Sequence, residues 1–127
     1  MLRKVPFYII LMLCHLSVVA QINTDRVMMI GRNALYFEDY VLSIQYFNQV
    51  INAKPYLHQP YFFRGLAKLN LEDYTGAEQD CSEAINMNPF VVDYYQLRGL
   101  ARIHQGKFTD AISDYAQALV HAPENVG

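Results

Sequence analysis

The sequence predicts an all-α fold in which three helical hairpins stack as a solenoid, preceded by a signal peptide. Marker residues recur at intervals of 34 along most of the chain, and the first twenty residues have the three-part layout of an export signal. We therefore divide the chain into a signal peptide at 1–20 and a repeat domain at 21–127. The repeats are expected at about 24–57, 58–91 and 92–125.

The N-terminal segment begins with the basic residues Arg3 and Lys4 and continues as a largely apolar run over 5–16. Small residues follow and end at Ala20, which predicts cleavage before Gln21. The alternative is a retained membrane anchor. A membrane-spanning helix needs about 20 apolar residues, and this run is shorter, so cleavage is favoured.

Cys14 raises a third alternative, a lipidated N-terminus, but the bulky Leu13 before it argues against lipoprotein processing. After cleavage Cys81 is the one cysteine left, so no intrachain disulfide can form. We expect an exported chain, periplasmic or secreted, that meets the membrane only transiently through its signal peptide.

Five columns of residues share the interval of 34, and each has a mechanical meaning. Proline ends a helix, glycine and small residues allow two helices to approach closely, and aromatic residues begin the second helix of each unit. The columns are Pro55, Pro89 and Pro123; Gly31, Gly65 and Gly99; Tyr40, Tyr74 and Phe108; Ser43, Ala77 and Ala111; and Val50, Ala84 and Ala118.

Between these markers the apolar residues follow helical spacing. Each unit is predicted to be a first helix (helix A), a short turn and a second helix (helix B). Asp39 and Asp73 are placed to cap helix B, and Pro60 suits a first helical turn. The expected helices are at about 25–37, 40–53, 59–71, 74–87, 92–105 and 108–121.

The segments Tyr61-x2-Arg64-Gly65, Ala77-x3-Cys81-x2-Ala84 and Pro89 resemble the tetratricopeptide repeat, whose pattern is W-x2-L-G-x2-Y, A-x3-F, A and P. The third unit matches through Tyr95, Gly99, Ala111, Tyr115, Ala118 and Pro123, whereas the first has Val27 and Ser43 at two of these positions. The resemblance implies a right-handed superhelical solenoid that binds proteins or peptides on a concave face built from helix A.

No catalytic constellation is evident in the sequence. Cys81 falls in a helix B column where a buried structural residue is expected. His58, His104 and His121 fall at different repeat positions without a shared ligand spacing, so no metal is expected. The formal charge of −2 gives no reason to expect nucleic acid. We expect no enzyme activity and no cofactor.

By repeat register, the resemblance places partner-binding residues on helix A of each unit. These are Met28, Arg32, Tyr36, Phe62, Leu66, Asn70, Gln96, Leu100 and His104. For the neighbouring Leu69 and Ile103, packing between hairpins is the favoured alternative.

Chaperone-binding members of the family hold a C-terminal carboxylate with a clamp of basic and Asn residues. Only Arg32 resembles a clamp member, because Met28, Phe62, Phe63 and Leu97 occupy other clamp positions. An apolar or amphipathic partner segment is therefore expected.

The predicted function is a non-catalytic interaction module or scaffold acting outside the cytoplasm. The alternative is the N-terminal repeat array of a larger envelope protein or enzyme. No polar terminal cap follows the third unit in the sequence, so helix B of that unit is expected to expose parts of Ile112, Tyr115 and Leu119. We expect self-association through this helix.

Repeat positions 7 and 23 should face each other within a hairpin. The pairs are Arg64 with Asp80, Arg98 with Asp114, and Ile30 with Tyr46. Because both members change from charged to apolar together, we expect an ion pair in two hairpins and an apolar contact in the other. The alternative is that these are unrelated surface charges.

Overall fold

The computed structural model describes residues 3–12 and 22–123, and residues 7–12 are helical. Cys14 and the expected cleavage site before Gln21 lie outside the described residues. Within 22–123 six helices form three hairpins: α1 (Thr24–Tyr36), α2 (Tyr40–Ala53), α3 (Gln59–Asn70), α4 (Tyr74–Met87), α5 (Val92–His104) and α6 (Phe108–His121). The predicted helices are confirmed, with ends that differ by at most one residue. In the part of the chain that is described, no helix has the length and apolar character needed to cross a bilayer.

Carboxylate and amide side chains cap three of these helices. Asp39 accepts a hydrogen bond from the Leu42 amide at 3.3 Å, and Asp73 accepts one from the Gly76 amide at 3.0 Å. These contacts confirm the two caps predicted from the sequence and satisfy amides that have no partner within the helix. The side chain of Asn23 caps α1 in the same way.

A residue in the left-handed region forms the turn inside each hairpin. These residues are Glu38 (φ 63°), Glu72 (φ 64°) and Gly106 (φ 76°), and they occupy the same position of the three repeats. Glycine adopts this conformation without steric cost, whereas glutamate does not. The third turn therefore has the residue best suited to its backbone, and the first two do not.

The two helices of a hairpin approach closely at the glycine of helix A. A Cβ atom on Gly65 would lie 3.2 Å from Asp80 Cβ and 3.3 Å from the Ala77 carbonyl oxygen. A Cβ atom on Gly31 would lie 2.8 Å from the Phe47 ring. These distances are shorter than ordinary contacts, so the close approach expected from the sequence is confirmed.

The helices form two layers, and the apolar core lies between them. The first helices α1, α3 and α5 contact one another in succession. Helices α2 and α4 each pack against the first helix of their own hairpin and of the next, and α6 packs against α5. The small residues Ser43, Ala77 and Ala111 are buried where the layers meet. This arrangement leaves one face of α1, α3 and α5 outside the core.

Candidate functional site

An open groove of about 660 Å³ lies between α1 and α3. Met28, Arg32 and Tyr36 line it from α1, because residues four apart share one face of a helix. Leu66 and Asn70 line it from α3. The structure therefore brings five of the nine predicted binding residues together around one groove.

Several groove residues were not predicted as binding residues. They are Asp25, Met29, Asn33, Leu35, Glu38, Tyr40 and Phe63. Met29 is 57% exposed, so the groove includes apolar surface that packing does not use. Exposed apolar surface within a groove is typical of a binding site.

Arg32 lies over an aromatic ring at the floor of the groove. Its guanidinium carbon is 4.8 Å from the centroid of the Phe63 ring, a cation–π contact. Phe63 stacks in turn on Phe47, with centroids 5.9 Å apart. Among the ion pairs of the described residues none involves Arg32. Its N–H groups therefore suit a carboxylate or carbonyl oxygen of a bound segment.

The remaining predicted binding residues lie elsewhere. Phe62 is half-buried and packs on Tyr94, with ring centroids 5.1 Å apart. Gln96 lines a different cleft, beside Tyr115. His104 stacks on the Tyr74 ring at 4.4 Å between centroids, and Leu100 is 38% exposed. These four residues lie outside the groove between α1 and α3, and their part in partner binding stays a prediction.

Phe62 and Phe63 show why repeat register alone does not identify the groove. Neighbouring residues point in different directions on a helix, and α3 is covered by other helices on two sides. Phe63 joins the groove, whereas Phe62 packs toward the next hairpin. Leu69 is half-buried, in line with the packing interpretation, whereas Ile103 is 40% exposed, so packing covers only part of its side chain.

Buried ion pairs join the helices of the second and third hairpins, as predicted. Arg64 donates two hydrogen bonds to Asp80, from Nε at 2.9 Å and from Nη2 at 2.7 Å. Arg98 binds Asp114 in the same manner, with an Nη2 to Oδ1 distance of 2.7 Å. Asp80 is 3% exposed and Asp114 is 1% exposed, so these are not unrelated surface charges.

The same arginines also reach the preceding hairpin. Arg64 Nη1 donates to Asn48 Oδ1 at 2.9 Å, and Arg98 Nη1 donates to Ser82 Oγ at 3.2 Å. Asn48 and Ser82 occupy the same position of consecutive repeats. Each arginine therefore ties its own hairpin together and attaches it to the one before. The contact between Ile30 and Tyr46 stays a prediction.

Cys81 is a buried structural residue, as expected. It is fully buried, and burial, followed by the nearby charge of Asp80, raises the pKa of its thiol to about 12. The thiol therefore keeps its proton at neutral pH, whereas a reactive cysteine needs a thiolate.

The histidines make ring contacts with tyrosines. His121 stacks on Tyr95, and His58 Nδ1 hydrogen-bonds to the Tyr94 hydroxyl. Over residues 3–12 and 22–123, no three His, Cys, Asp or Glu side chains are placed to hold a metal ion.

On the last helix, Ile112 is 69% exposed and Leu119 is 62% exposed, whereas Tyr115 is half-buried. A Cβ atom on Gly99 would lie 3.1 Å from the Tyr115 ring, which places this ring inside its own hairpin. Self-association through α6 stays a prediction.

Residues 58–90, the second hairpin, match the tetratricopeptide repeat family. No curated protein matches the chain. Similar solved structures include tetratricopeptide domains, which bears out the all-helical repeat fold.

The first such domain of Spaghetti (RPAP3), bound to the HSP90 peptide SRMEEVD, has a TM-score of 0.77 and 26% identity, over 81% of this chain and 82% of that chain. The Arabidopsis OM64 domain has a TM-score of 0.78 and 26% identity, over 81% and 85%. MamA has a TM-score of 0.76 and 18% identity, over 82% and 61%, and shares the fold.

Proposed function

We propose that this chain is a non-catalytic protein-interaction module that acts outside the cytoplasm and binds a segment of a partner protein on the concave face built from α1, α3 and α5. Proteins of this fold are in general non-catalytic interaction modules, and similar domains bind peptides. The observation that carries the proposal is the groove between α1 and α3, where Met28, Arg32, Tyr36, Leu66 and Asn70 converge.

The chemistry of the groove favours an amphipathic segment. Met28 and Leu66 provide apolar surface, while Arg32 provides one positive charge for a carboxylate or carbonyl oxygen. Asp25 and Glu38 place two negative charges on the same walls. The HSP90 peptide SRMEEVD that is bound to the similar domain carries three acidic residues. Such a peptide would meet like charges here, so we propose a less acidic partner.

The groove can be tested by replacing one exposed tyrosine that lines it and, as a control, one exposed tyrosine that lies outside it. Peptides are selected from a random display library on the mature chain, and their affinities are then measured for variants. Tyr36 is 81% exposed and lines the groove, whereas Tyr56 is 70% exposed and lies outside it. Tyr36→Ser combined with Leu66→Ala should weaken binding about tenfold or more, equivalent to about 1.4 kcal/mol. Tyr56→Ser combined with Leu71→Ala is the control.

Two results would contradict the groove proposal. One is that peptides bind the groove variant and the control variant equally well. The other is that the groove variant loses binding only because it has lost helix content, measured by circular dichroism.

Export is the second part of the proposal. It is supported by the basic residues Arg3 and Lys4 and by the apolar run after them, of which residues 7–12 are helical with exposed side chains. In the native host, mass spectrometry should find an N-terminus at Gln21. An intact N-terminus at Met1 in the membrane fraction would support the anchor and contradict cleavage.

A further inference from the structure

The segments that lead into the three hairpins expose an apolar side chain at the same repeat position. Tyr56, in the loop before α3, is 70% exposed, and Ile22, just before α1, is 40% exposed. Phe90, in the loop before α5, contacts the His121 ring edge-on and is still 73% exposed. We call Ile22, Tyr56 and Phe90 the loop ladder. A column of exposed apolar residues that recurs in three repeats indicates a contact surface.

Equivalent hydrogen bonds hold the two loops between the hairpins. The Tyr61 hydroxyl donates to the Pro55 carbonyl oxygen at 3.2 Å. One repeat later, the Tyr95 hydroxyl donates to the Pro89 carbonyl oxygen at 2.7 Å. Because both loops are fixed in the same way, they present their ladder residues in the same way.

The loop ladder lies along one edge of the solenoid. The two helices of each hairpin run in opposite directions, so α1, α3 and α5 all begin at the edge that holds the loop ladder. The turns inside the hairpins lie at the other edge, which we call the turn edge. The first helices have 12 or 13 residues, so the two edges are about 20 Å apart.

The turn edge is acidic. Exposed carboxylates stand in its first two turns, at Glu38, Asp39, Glu72 and Asp73. Phe37 is 78% exposed on this edge, but it directly precedes two of these carboxylates. A carboxylate loses favourable hydration when it leaves water, so the turn edge is costly to bring into a lipid interface.

The edge with the loop ladder has few charges, and they offset one another. The loops before α3 and α5 contain no acidic residue. Nearby, Asp25 and Asp93 carry negative charges, and Arg26 and Lys54 carry as many positive ones. Aromatic side chains favour the boundary between water and lipid. The loop ladder therefore suits a membrane surface with zwitterionic headgroups.

The N-terminal segment joins the solenoid at this same edge. Residues 7–12 form a helix whose apolar side chains are exposed, and Arg3 and Lys4 precede it. Residues 13–21 separate this helix from Ile22, the first residue of the loop ladder. A linker of this length reaches at most about 35 Å. A membrane that receives the N-terminal segment therefore lies close to the loop ladder.

We infer that the loop ladder binds the membrane surface when the N-terminal segment enters the bilayer, and that the turn edge then points away from the lipid. This inference rests on the export part of the proposed function, because the N-terminal segment brings the chain to the membrane. It adds a lipid contact made by the repeat domain itself. Tyr36 and Asn70 line the groove at the turn edge, so the groove stays open to a partner segment.

Single tryptophans test the inference, because the chain has no tryptophan of its own. Full-length Tyr56→Trp, Phe90→Trp and Phe37→Trp are each mixed with phosphatidylcholine vesicles whose acyl chains carry bromine, which quenches tryptophan fluorescence on contact. Tyr56→Trp and Phe90→Trp should be quenched. Phe37→Trp is the control and should not be quenched, since it lies about 20 Å away at the turn edge. Equal quenching at all three positions, or none at the loop ladder, would overturn the inference.

Paired substitutions measure how much the loop ladder contributes to vesicle binding. Tyr56→Ser combined with Phe90→Ser should lower the affinity of the full chain for phosphatidylcholine vesicles about tenfold, because two rings leave the interface. Tyr36→Ser combined with Phe37→Ser removes a similarly exposed tyrosine and phenylalanine from the turn edge and should keep the affinity. Equal losses in the two variants, with helix content unchanged, would overturn the inference.

A reporter in the N-terminal segment separates this inference from the export proposal. Tyr8→Trp is quenched when that segment enters the bilayer. Quenching of Tyr8→Trp without quenching of Tyr56→Trp supports entry of the segment and overturns the lipid contact of the loop ladder. Quenching of Tyr56→Trp without quenching of Tyr8→Trp supports the loop ladder and counts against the export proposal. No quenching at either position contradicts both.

Discussion

At the junction between the first and second hairpins, Phe63 of α3 stacks on Phe47 of α2, and Val50 and Pro60 are buried. At the junction between the second and third hairpins, Ala84 and Tyr94 are buried at the equivalent positions, and an ion pair also joins the two hairpins. The helices are placed in the same way at both junctions. The difference therefore lies in a few side chains at equivalent positions, which add an ion-pair network to the second junction.

The charged groups at the second junction meet at Glu78. It accepts a hydrogen bond from Arg102 Nε at 2.6 Å and one from Lys107 Nζ at 2.7 Å. The equivalent of Glu78 in the first hairpin is Ile44. The equivalent of Arg102 in the second hairpin is Lys68, which pairs with Asp80 instead. Because Ile44 carries no charge, it cannot form such a network at the first junction.

The largest effect is expected from Tyr94→Ala, which removes a buried ring from the junction between the second and third hairpins. Such a change should lower the free energy of unfolding by about 3–5 kcal/mol. Pro60→Ala removes fewer atoms and should cost less than half as much. Urea denaturation of both variants measures the difference. Equal losses would contradict the larger contribution expected from the Tyr94 ring.

Removal of a buried carboxylate should cost nearly as much. Asp80→Ala leaves Arg64 and Lys68 without their partner in a largely buried site, and we expect a loss of about 3 kcal/mol or more. An exposed pair would contribute only about 0–1 kcal/mol. A double-mutant cycle of Arg64 and Asp80 measures the coupling, and a value near zero would contradict the buried pair.

The first hairpin supplies an apolar replacement for this ion pair. It has Ile30, Ala34 and Tyr46 at the positions of Arg64, Lys68 and Asp80. The triple exchange Arg64→Ile, Lys68→Ala and Asp80→Tyr should recover much of the stability lost in Asp80→Ala, because it leaves no stranded charge. A triple variant as unstable as Asp80→Ala would argue against contact between the apolar residues.

The smallest expected effect is a change in the free energy of unfolding with pH that comes from Glu78 at the second junction. Burial raises the pKa of Glu78, but hydrogen bonds from Lys107 and Arg102 outweigh it and lower the pKa from 4.5 to about 2. A lowered pKa means that the stabilisation is present above pH 4.5 and is lost as the pH falls toward 2. At pH 6 the free energy of unfolding of the wild type should exceed that of Glu78→Gln by about 1 kcal/mol. This difference should disappear near pH 2. A gap that stays constant with pH would contradict this assignment.

The sequence predicted the helices well because their ends have local signals. The caps Asp39 and Asp73 and the repeated prolines act on residues close to them in the chain. The interval of 34 relates the helix ends of one repeat to those of the next. The buried pairs of Arg64 with Asp80 and Arg98 with Asp114 were also predictable, since both partners change together in the first hairpin.

The groove was only partly predictable, because it depends on which face of helix A the neighbouring helices cover. Phe63 lies under Arg32 in the groove, whereas the adjacent Phe62 packs on Tyr94.

The affinity of selected peptides for the Tyr36→Ser and Leu66→Ala variant tests most directly whether the groove between α1 and α3 binds the partner segment. The account predicts binding at least tenfold weaker than that of the Tyr56→Ser and Leu71→Ala control, with the helix content of both variants unchanged. Equal affinities for the two folded variants would contradict it.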